Sequence, residues 1–308
     1  MRARWAAIGL ALVAALAAVP LVVRRDDVLN FLVVTLLTIT LAESWNIVAG
    51  YAGQVNLGHA AFFGLGALVT RLLWIAGTPV LVAMLAGAAL AVAFALAVGG
   101  AAFRLRGAYF AIGTLALGEI LRITVGNTLA EISTLPATTI ATYRLATRYW
   151  LVLALAALAV AAVAWLAGSR LGLGMQAIRE DEEAAEATGV GALRLKLTAL
   201  VLSTALAGLA GGAFAYYHIS YYPAHAFGPH WTFDAVLVTF IGGVGTLHGP
   251  ILGAVFYVFL KEYLAIRWVD FHLLIFGVLF IAIVLLLPGG LVEAGTRIGK
   301  LVERLRPR

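Results

Sequence analysis

The sequence predicts an all-α, polytopic membrane protein of about ten transmembrane helices (8–10), with both termini on one side. Three observations predict it. Of the 308 residues, 63% are hydrophobic and 12% charged, against about 45–50% and about 25% in a soluble domain. A compact soluble body lacks the interior to hide that much apolar surface. The apolar residues also lie in runs, not in the apolar–polar alternation of a membrane β-barrel. At about 20 residues per span, roughly ten helices account for them. Finally, the basic residues distribute unevenly between the two sets of loops that ten spans create.

The elements follow in order. Arg2 and Arg4 precede an apolar run to Val23, the pattern of a signal peptide or of a first span. Ala15-Leu16-Ala17 resembles a cleavage site, but a retained helix makes the later topology balance. Further spans are expected at about 28–49, 57–76, 79–100, 107–127, 149–168, 196–217, 232–246, 249–266 and 270–288. The 232–246 stretch is short enough to be broken or re-entrant. With the N-terminus inside, thirteen Lys and Arg fall on inner segments and six on outer ones (Arg24, Arg25, Arg71, Arg144, Arg148 and Arg267); Arg122 and Lys261 lie within spans. The positive-inside rule then places both termini in the cytoplasm. The same rule accounts for the net charge of +6 without nucleic acid.

No soluble domain, linker or low-complexity tract interrupts the chain. Residues 1–308 are expected to form one transmembrane domain, with the cytoplasmic loop 169–196 inside it. Trp and Tyr gather at expected interfaces, as in Tyr149-Trp150 and Tyr216-Tyr217. Segments 128–148 and 218–231 are the longest outer loops. Gly53–Ala67 and Gly243–Val255 share a glycine rhythm, most simply a coincidence of two Gly-rich stretches.

The hydrophilic loop 169–196 carries five of the fifteen acids, Glu180, Asp181, Glu182, Glu183 and Glu186. Its 175–188 stretch favours a short helix, stopped by Gly189 and Gly191. Met175, Ile178 and Ala185 supply a weak apolar face. A membrane-parallel acidic helix suits docking to a partner; a solvated loop is the plainer alternative.

Polar Gln54, Asn56 and His59 interrupt apolar sequence among several glycines. Broken helices with polar groups line transport paths when shielded from lipid; a turn between spans is the alternative. Glu119 and Arg122, three apart on one helix, can pair. Unpaired, each would cost at least about 2.5–3.5 kcal/mol near mid-bilayer. They either line a path or clasp helices. Gly208/Gly212, Gly245/Gly249 and Gly249/Gly253 have the spacing that lets membrane helices approach closely.

Several classes lack their chemistry. Zero Cys removes disulfides, thiolate metal sites and cysteine nucleophiles. No G-x4-G-K-[ST] phosphate loop is present: Gly295–Leu301 is one residue short and ends in Leu. The chain is therefore expected to bind no cofactor and to be no enzyme. His218, His225 and His230 suggest a metal path, but their spacing does not set them on one helical face, so no metal site is expected.

Five segments carry a resemblance. Glu183-Ala184-Ala185 followed by Gly189 is similar to the EAA-x3-G loop of ABC importer permeases. Trp45–Phe62, Arg106–Leu115 with Gly118–Arg122, Gly242–Ala254, and Pro288–Leu291 resemble the branched-chain amino acid permease family. The likeness runs from about residue 40 to 291 and is closest to the second of the two paired permeases of such systems.

The resemblance implies a type II-like ABC importer permease in a bacterial inner membrane, working by alternating access. It implies ABC ATPase subunits that use ATP and grip the loop through Arg179, Glu182, Glu183, Ala184, Ala185 and Gly189. It further implies a second homologous permease, or a second copy, and an extracytoplasmic solute-binding protein received by the outer loops. Branched-chain amino acids are the default cargo, with urea or amides as relatives' cargoes. The sequence departs from the family at Glu131–Thr139, where a Thr-Gly-Gly-rich stretch is usual.

Two other readings remain. An ion-coupled secondary transporter would use Glu43, Glu119, Arg122, Asp234 and Lys261. A metal-ion ABC permease would use the three histidines.

Overall fold

In the computed structural model the described residues are 2–23, 25–129, 133–268, and 271, 274, 275, 277, 278, 281, 282, 285 and 289–296 of the last stretch. They form helices α1 (Arg2–Val22), α2 (Asp26–Asn46, continued by a π-turn at Ile47–Tyr51), α3 (His59–Ile75), α4 (Val80–Ala102) and α5 (Ala108–Thr128). Strand β1 (Ser133–Thr134), α6 (Ala137–Ala141), α7 (Leu145–Ala167), α8 (Arg170–Glu180), α9 (Glu182–Ala187) and α10 (Ala192–Tyr217) follow. Strand β2 (Ser220–Tyr221), α11 (Pro223–Ala226), α12 (His230–Gly242) and α13 (Gly249–Arg267) complete the order.

This is a helical membrane protein. Six of these helices are long and apolar enough to cross a bilayer: α2 with its π-turn, α4, α5, α7, α10 and α13. Helix α3 has 17 residues and α12 has 13, about 25 Å and 20 Å at 1.5 Å per residue, short of a full crossing of about 30 Å. The expected span 270–288 lies largely outside the described residues.

Contacts set the helix directions. Helices α3 and α10 run parallel: Gly66 lies against Gly208, Gly212 against Thr70, and Arg71 reaches Ala215. Helices α2 and α12 run parallel: Thr239 bonds Ala42, and Asn46 meets Gly245. Helices α2 and α10 oppose one another, with Tyr217 at the end of one bonding Asn30 at the start of the other.

Two three-helix units of inverted direction result. In each, a 26-residue helix (α2 with its π-turn, or α10) is followed by a largely non-helical return, a short helix (α3 or α12) and a longer one (α4 or α13). The glycine rhythm of the sequence does not mark this repeat. The two stretches that share it do not correspond: Gly53–Ala67 covers the return after α2 and the start of α3, whereas Gly243–Val255 covers the turn before α13 and its start.

The short helices begin inside the bundle. The return 52–58 runs back along α2, where Trp45 Nε1 donates to the Asn56 carbonyl at 2.8 Å and Ser44 Oγ meets His59 Nε2 at 2.7 Å. Helix α12 starts beside it: the Ala60 amide donates to Thr232 Oγ1 at 2.8 Å, and Trp231 stacks on Phe63 at 4.6 Å. Helix α1 docks on α7 through Tyr149 and Trp150, which donate to the Leu16 and Ala17 carbonyls.

Candidate coupling site and membrane path

The loop 169–196 forms two helices, not the single one expected over 175–188. Ser169 caps α8, its Oγ accepting from the Gly172 amide at 3.1 Å. Asp181 leaves helical geometry (φ −157°, ψ 108°) and caps α9, accepting from the Ala184 amide at 3.0 Å. The break arises because an Asp side chain competes for backbone donors and favours the N-cap. Glu182 and Glu183 then sit in the first turn of α9, where the helix dipole favours negative charge.

Met175, Ile178 and Ala185 are buried and hold the pair to the bundle. Glu180, Glu183, Ala184, Glu186 and Gly189 are exposed. Two ion pairs fix α9. Lys196 Nζ reaches Glu182 at 2.6 Å with 3% of the lysine side chain exposed, whereas Arg106 and Glu183 pair at 3.2 Å in the open. Arg179 does something different. It is exposed, yet its Nη1 donates inward to the Gly50 carbonyl at 2.5 Å.

Gly50 belongs to a junction of two helix breaks. Asn46 Oδ1 accepts from the Gly245 amide at 2.8 Å, and Asn46 Nδ2 donates to the Thr246 carbonyl at 3.0 Å. Residues 243–248, between α12 and α13, thereby lie against the end of α2. Gly245 has φ +76° and sits in this turn, not at a helix crossing. Gly249 opens α13 against the Gly243 carbonyl, and Gly253 crosses α12 against the Val238 carbonyl. Gly208 and Gly212 face α4 at Ala88 and Met84. Gly289 and Gly290 back onto Gly242 and Gly243, which places the C-terminal Gly-Gly-Leu at the same junction; Pro288 lies outside the described residues.

The residues expected along a path divide into two groups. Asn56 and His59 lie together in the interior, almost wholly buried. Asn56 Oδ1 accepts from the Gly58 amide, but Asn56 Nδ2 and His59 Nδ1 have no partner among the described residues. A cavity of ≈ 20 Å³ lies beside Asn56, lined by Gly58, Phe62, Phe110 and Thr114 among others. That is room for a water molecule and no more, so the interior is closed here to any solute. Gln54 is half-buried, and its side-chain amide donates to the Ala52 carbonyl. Glu119 and Arg122 bond each other on the outer face of α5, their side chains 40% and 37% exposed. They do not reach Asn56 or His59.

Of the other intramembrane charges, Asp234 pairs with Lys261 at 3.3 Å and accepts from the Tyr257 hydroxyl. Glu43 is fully buried, with Asn46 Nδ2 3.4 Å from one oxygen and nothing bonded to the other among the described residues. The sequence reading gave Glu43 a role only in an ion-coupled transporter and gave no path role to Ser44, Asn46 or Thr232. Three polar side chains in Glu43-Ser44-Trp45-Asn46 at the end of an apolar helix were the available signal. Among the described residues no group of three His, Cys, Asp or Glu could hold a metal. His225 and His230 instead stack on each other and on Trp231.

At the opposite end, Arg71 is not a loop residue. It is fully buried and caps α10, donating to the Ala215, His218 and Ile219 carbonyls at 3.2, 3.0 and 2.5 Å. The loops 128–148 and 218–231 are tied by an antiparallel pairing, Ser133 with Tyr221 and Thr134 with Ser220. Of the atypical 131–139 segment, 131 and 132 lie outside the described residues.

A bundle of apolar helices with two short helices meeting inside it, and an acidic element at one end, defines a multi-pass membrane transport subunit. The chain belongs to the family described as branched-chain amino acid transport system, permease component, which matches residues 27–284. It is similar to the high-affinity branched-chain amino acid transport system permease protein LivM of Escherichia coli (strain K12), 28% identical over 312 residues, covering 88% of this chain and 71% of the relative. The LivM of Salmonella typhimurium (strain LT2) is equally similar, at 28% over 305 residues and with the same coverage. A probable branched-chain amino acid transport permease protein LivM of Methanocaldococcus jannaschii is 29% identical over 159 residues, 46% of this chain and 45% of the relative. No solved structure matches. The chain is thus an ABC transporter permease subunit and not an enzyme.

Proposed function

We propose that this subunit carries branched-chain amino acids, or a related small polar solute such as urea or an amide, into a bacterium through the inner membrane by alternating access. ABC ATPase subunits hydrolyse ATP and drive it by gripping the α8–α9 loop at the exposed Glu183, Ala184 and Gly189, while Ala185 turns to the bundle and Glu182 holds Lys196. A second homologous permease, or a second copy, completes the membrane part. An extracytoplasmic solute-binding protein docks on the paired loops 128–148 and 218–231. The whole chain 1–308 acts as one transmembrane domain, with both termini and the 169–196 loop in the cytoplasm.

The observation that carries this reading is the α8–α9 pair. It presents exposed acids on one side and is bonded through Arg179 to a helix break on the other. A solvated loop would have no reason to hold a membrane helix.

The test is co-expression with candidate ATPase, permease and binding-protein partners, then purification and reconstitution in liposomes. A complex that imports leucine only with internal MgATP and external loaded binding protein is the expected result. Recovery of this chain alone, or uptake that survives loss of the ATPase and collapses with the proton gradient, would overturn the reading.

A further inference from the structure

Each of the two long, opposed helices ends in carbonyls that its own turns leave without donors, and an arginine meets them at both places. The two arrangements differ in where the arginine comes from. At the end of α10, Arg71 belongs to the neighbouring bundle helix α3, is fully buried and binds three carbonyls. At the end of α2, Arg179 belongs to α8, outside the bundle, is exposed and binds the single carbonyl of Gly50. The first cap is locked into the membrane core. The second is held by an element that can leave.

The surroundings of Arg179 are built for close approach. A Cβ on Gly245 would stand 2.3 Å from Arg179 Nη1, and one on Gly53 would stand 3.1 Å from Arg179 Cα. Gly53 also has φ +71°, a geometry that L side chains resist. Through Gly50 and Gly245 the guanidinium touches both breaks, and Asn46 ties those breaks to each other. Among the described residues no carboxylate lies within ion-pair distance of Arg179. Its charge is therefore spent on the carbonyl end of α2, where the helix dipole favours a cation.

We propose that Arg179 is the positioning residue that couples α8–α9 to the membrane. Bound to Gly50, it holds residues 50–53 and 243–248 together and keeps that end of the interior shut. Displacement of α8 withdraws it, uncaps α2 and frees both breaks to move. The inference rests on the reading that a partner ATPase displaces the 169–196 loop, and it assigns to Arg179 an internal role instead of a grip on that partner.

The test compares the wild-type chain with Arg179→Met and Arg179→Lys. Hydrogen exchange on the purified chain needs no partner. Arg179→Met should speed exchange at 50–56 and 243–248 at least about tenfold and leave the Arg71-capped end of α10 unchanged, with Arg179→Lys in between. In the reconstituted complex, Arg179→Met should co-purify with the ATPase normally and hydrolyse ATP. Hydrolysis should no longer respond to leucine-loaded binding protein, and uptake should fall at least about tenfold.

Unchanged exchange at both breaks would overturn the proposal, as would normal coupling or loss of the ATPase from the complex. If Arg179→Met does not fold, the same comparison rests on Arg179→Lys. A wild-type chain that binds no ATPase refutes the functional reading alone, and the exchange experiment still decides the role of Arg179.

Discussion

Replacing Gly66 by Ala tests the packing on which the short helix α3 depends. A Cβ there would lie 2.0 Å from the Gly208 carbonyl oxygen on α10, against the 3.4 Å at which ordinary contact begins. The obstacle is backbone, so no rotamer change relieves it, and the two helices must part by about 1.4 Å at that point, as those two distances require. Overpacking of this kind costs about 1–3 kcal/mol. Replacing glycine by alanine inside a helix returns about 0.5–1 kcal/mol. The net expectation is a loss of up to about 2.5 kcal/mol, or a few degrees in Tm for a chain of this size.

Gly100→Ala is the internal control. Its Cβ would meet nothing within 4 Å, so that variant should gain about 0.5–1 kcal/mol. The assay is tryptophan fluorescence during thermal unfolding, in one detergent and at one scan rate, since membrane proteins often unfold irreversibly. If Gly66→Ala melts at or above the wild type, or the two variants shift together, the argument from close helix approach is wrong.

Three further outcomes follow from the ion pairs. Lys196→Met removes the buried partner of Glu182. Because Glu182 still reaches solvent, the cost should fall to about 1–3 kcal/mol, below the 3–5 kcal/mol of a fully buried pair, and cleavage by a glutamate-specific protease within 180–186 should rise several-fold. Glu183→Gln breaks only the exposed pair with Arg106. Stability should change by no more than about 1 kcal/mol, while ATPase co-purification should weaken; a change in melting without a change in binding would contradict this. Glu119→Gln leaves Arg122 unpaired midway along α5, at a cost of about 2.5–3.5 kcal/mol if that depth is apolar. Membrane yield should drop and should recover in Glu119→Gln/Arg122→Gln, and a double variant no better than the single one would show that the pair itself is not what matters.

The class of fold was legible because it follows from composition and run length, which need no partner residue. The apolar runs that announced spans at 79–100, 107–127, 149–168, 196–217 and 249–266 are helices close to those bounds. The apolar face of Met175 and Ile178, three apart on α8, was legible for the same reason, whereas Ala185 lies on α9 beyond the break and meets Ile178 only through the tertiary structure. The break at Asp181 was missed because a strong helical composition outweighed a local capping signal. Arg71 was misplaced because its position near the end of a span looked like a loop. Only the carbonyls of α10, 144 to 148 residues away, explain how a guanidinium can be buried there.

By itself the sequence determined that this chain must live in a membrane as helices, that its polar residues gather in a few places, and that one acidic loop differs from the rest. Local period, charge and hydropathy are sufficient for that, because each concerns a single stretch of chain against its solvent. The sequence also marked 232–246 as short, but the tertiary structure alone decided that α3 and α12 begin beside each other inside the bundle. It also decided that Asn56 and His59 are interior while Glu119 and Arg122 lie outside, and that Arg179 turns inward to Gly50. These depend on contacts between residues far apart in sequence, where the donor sits on one element and the orphaned carbonyl on another.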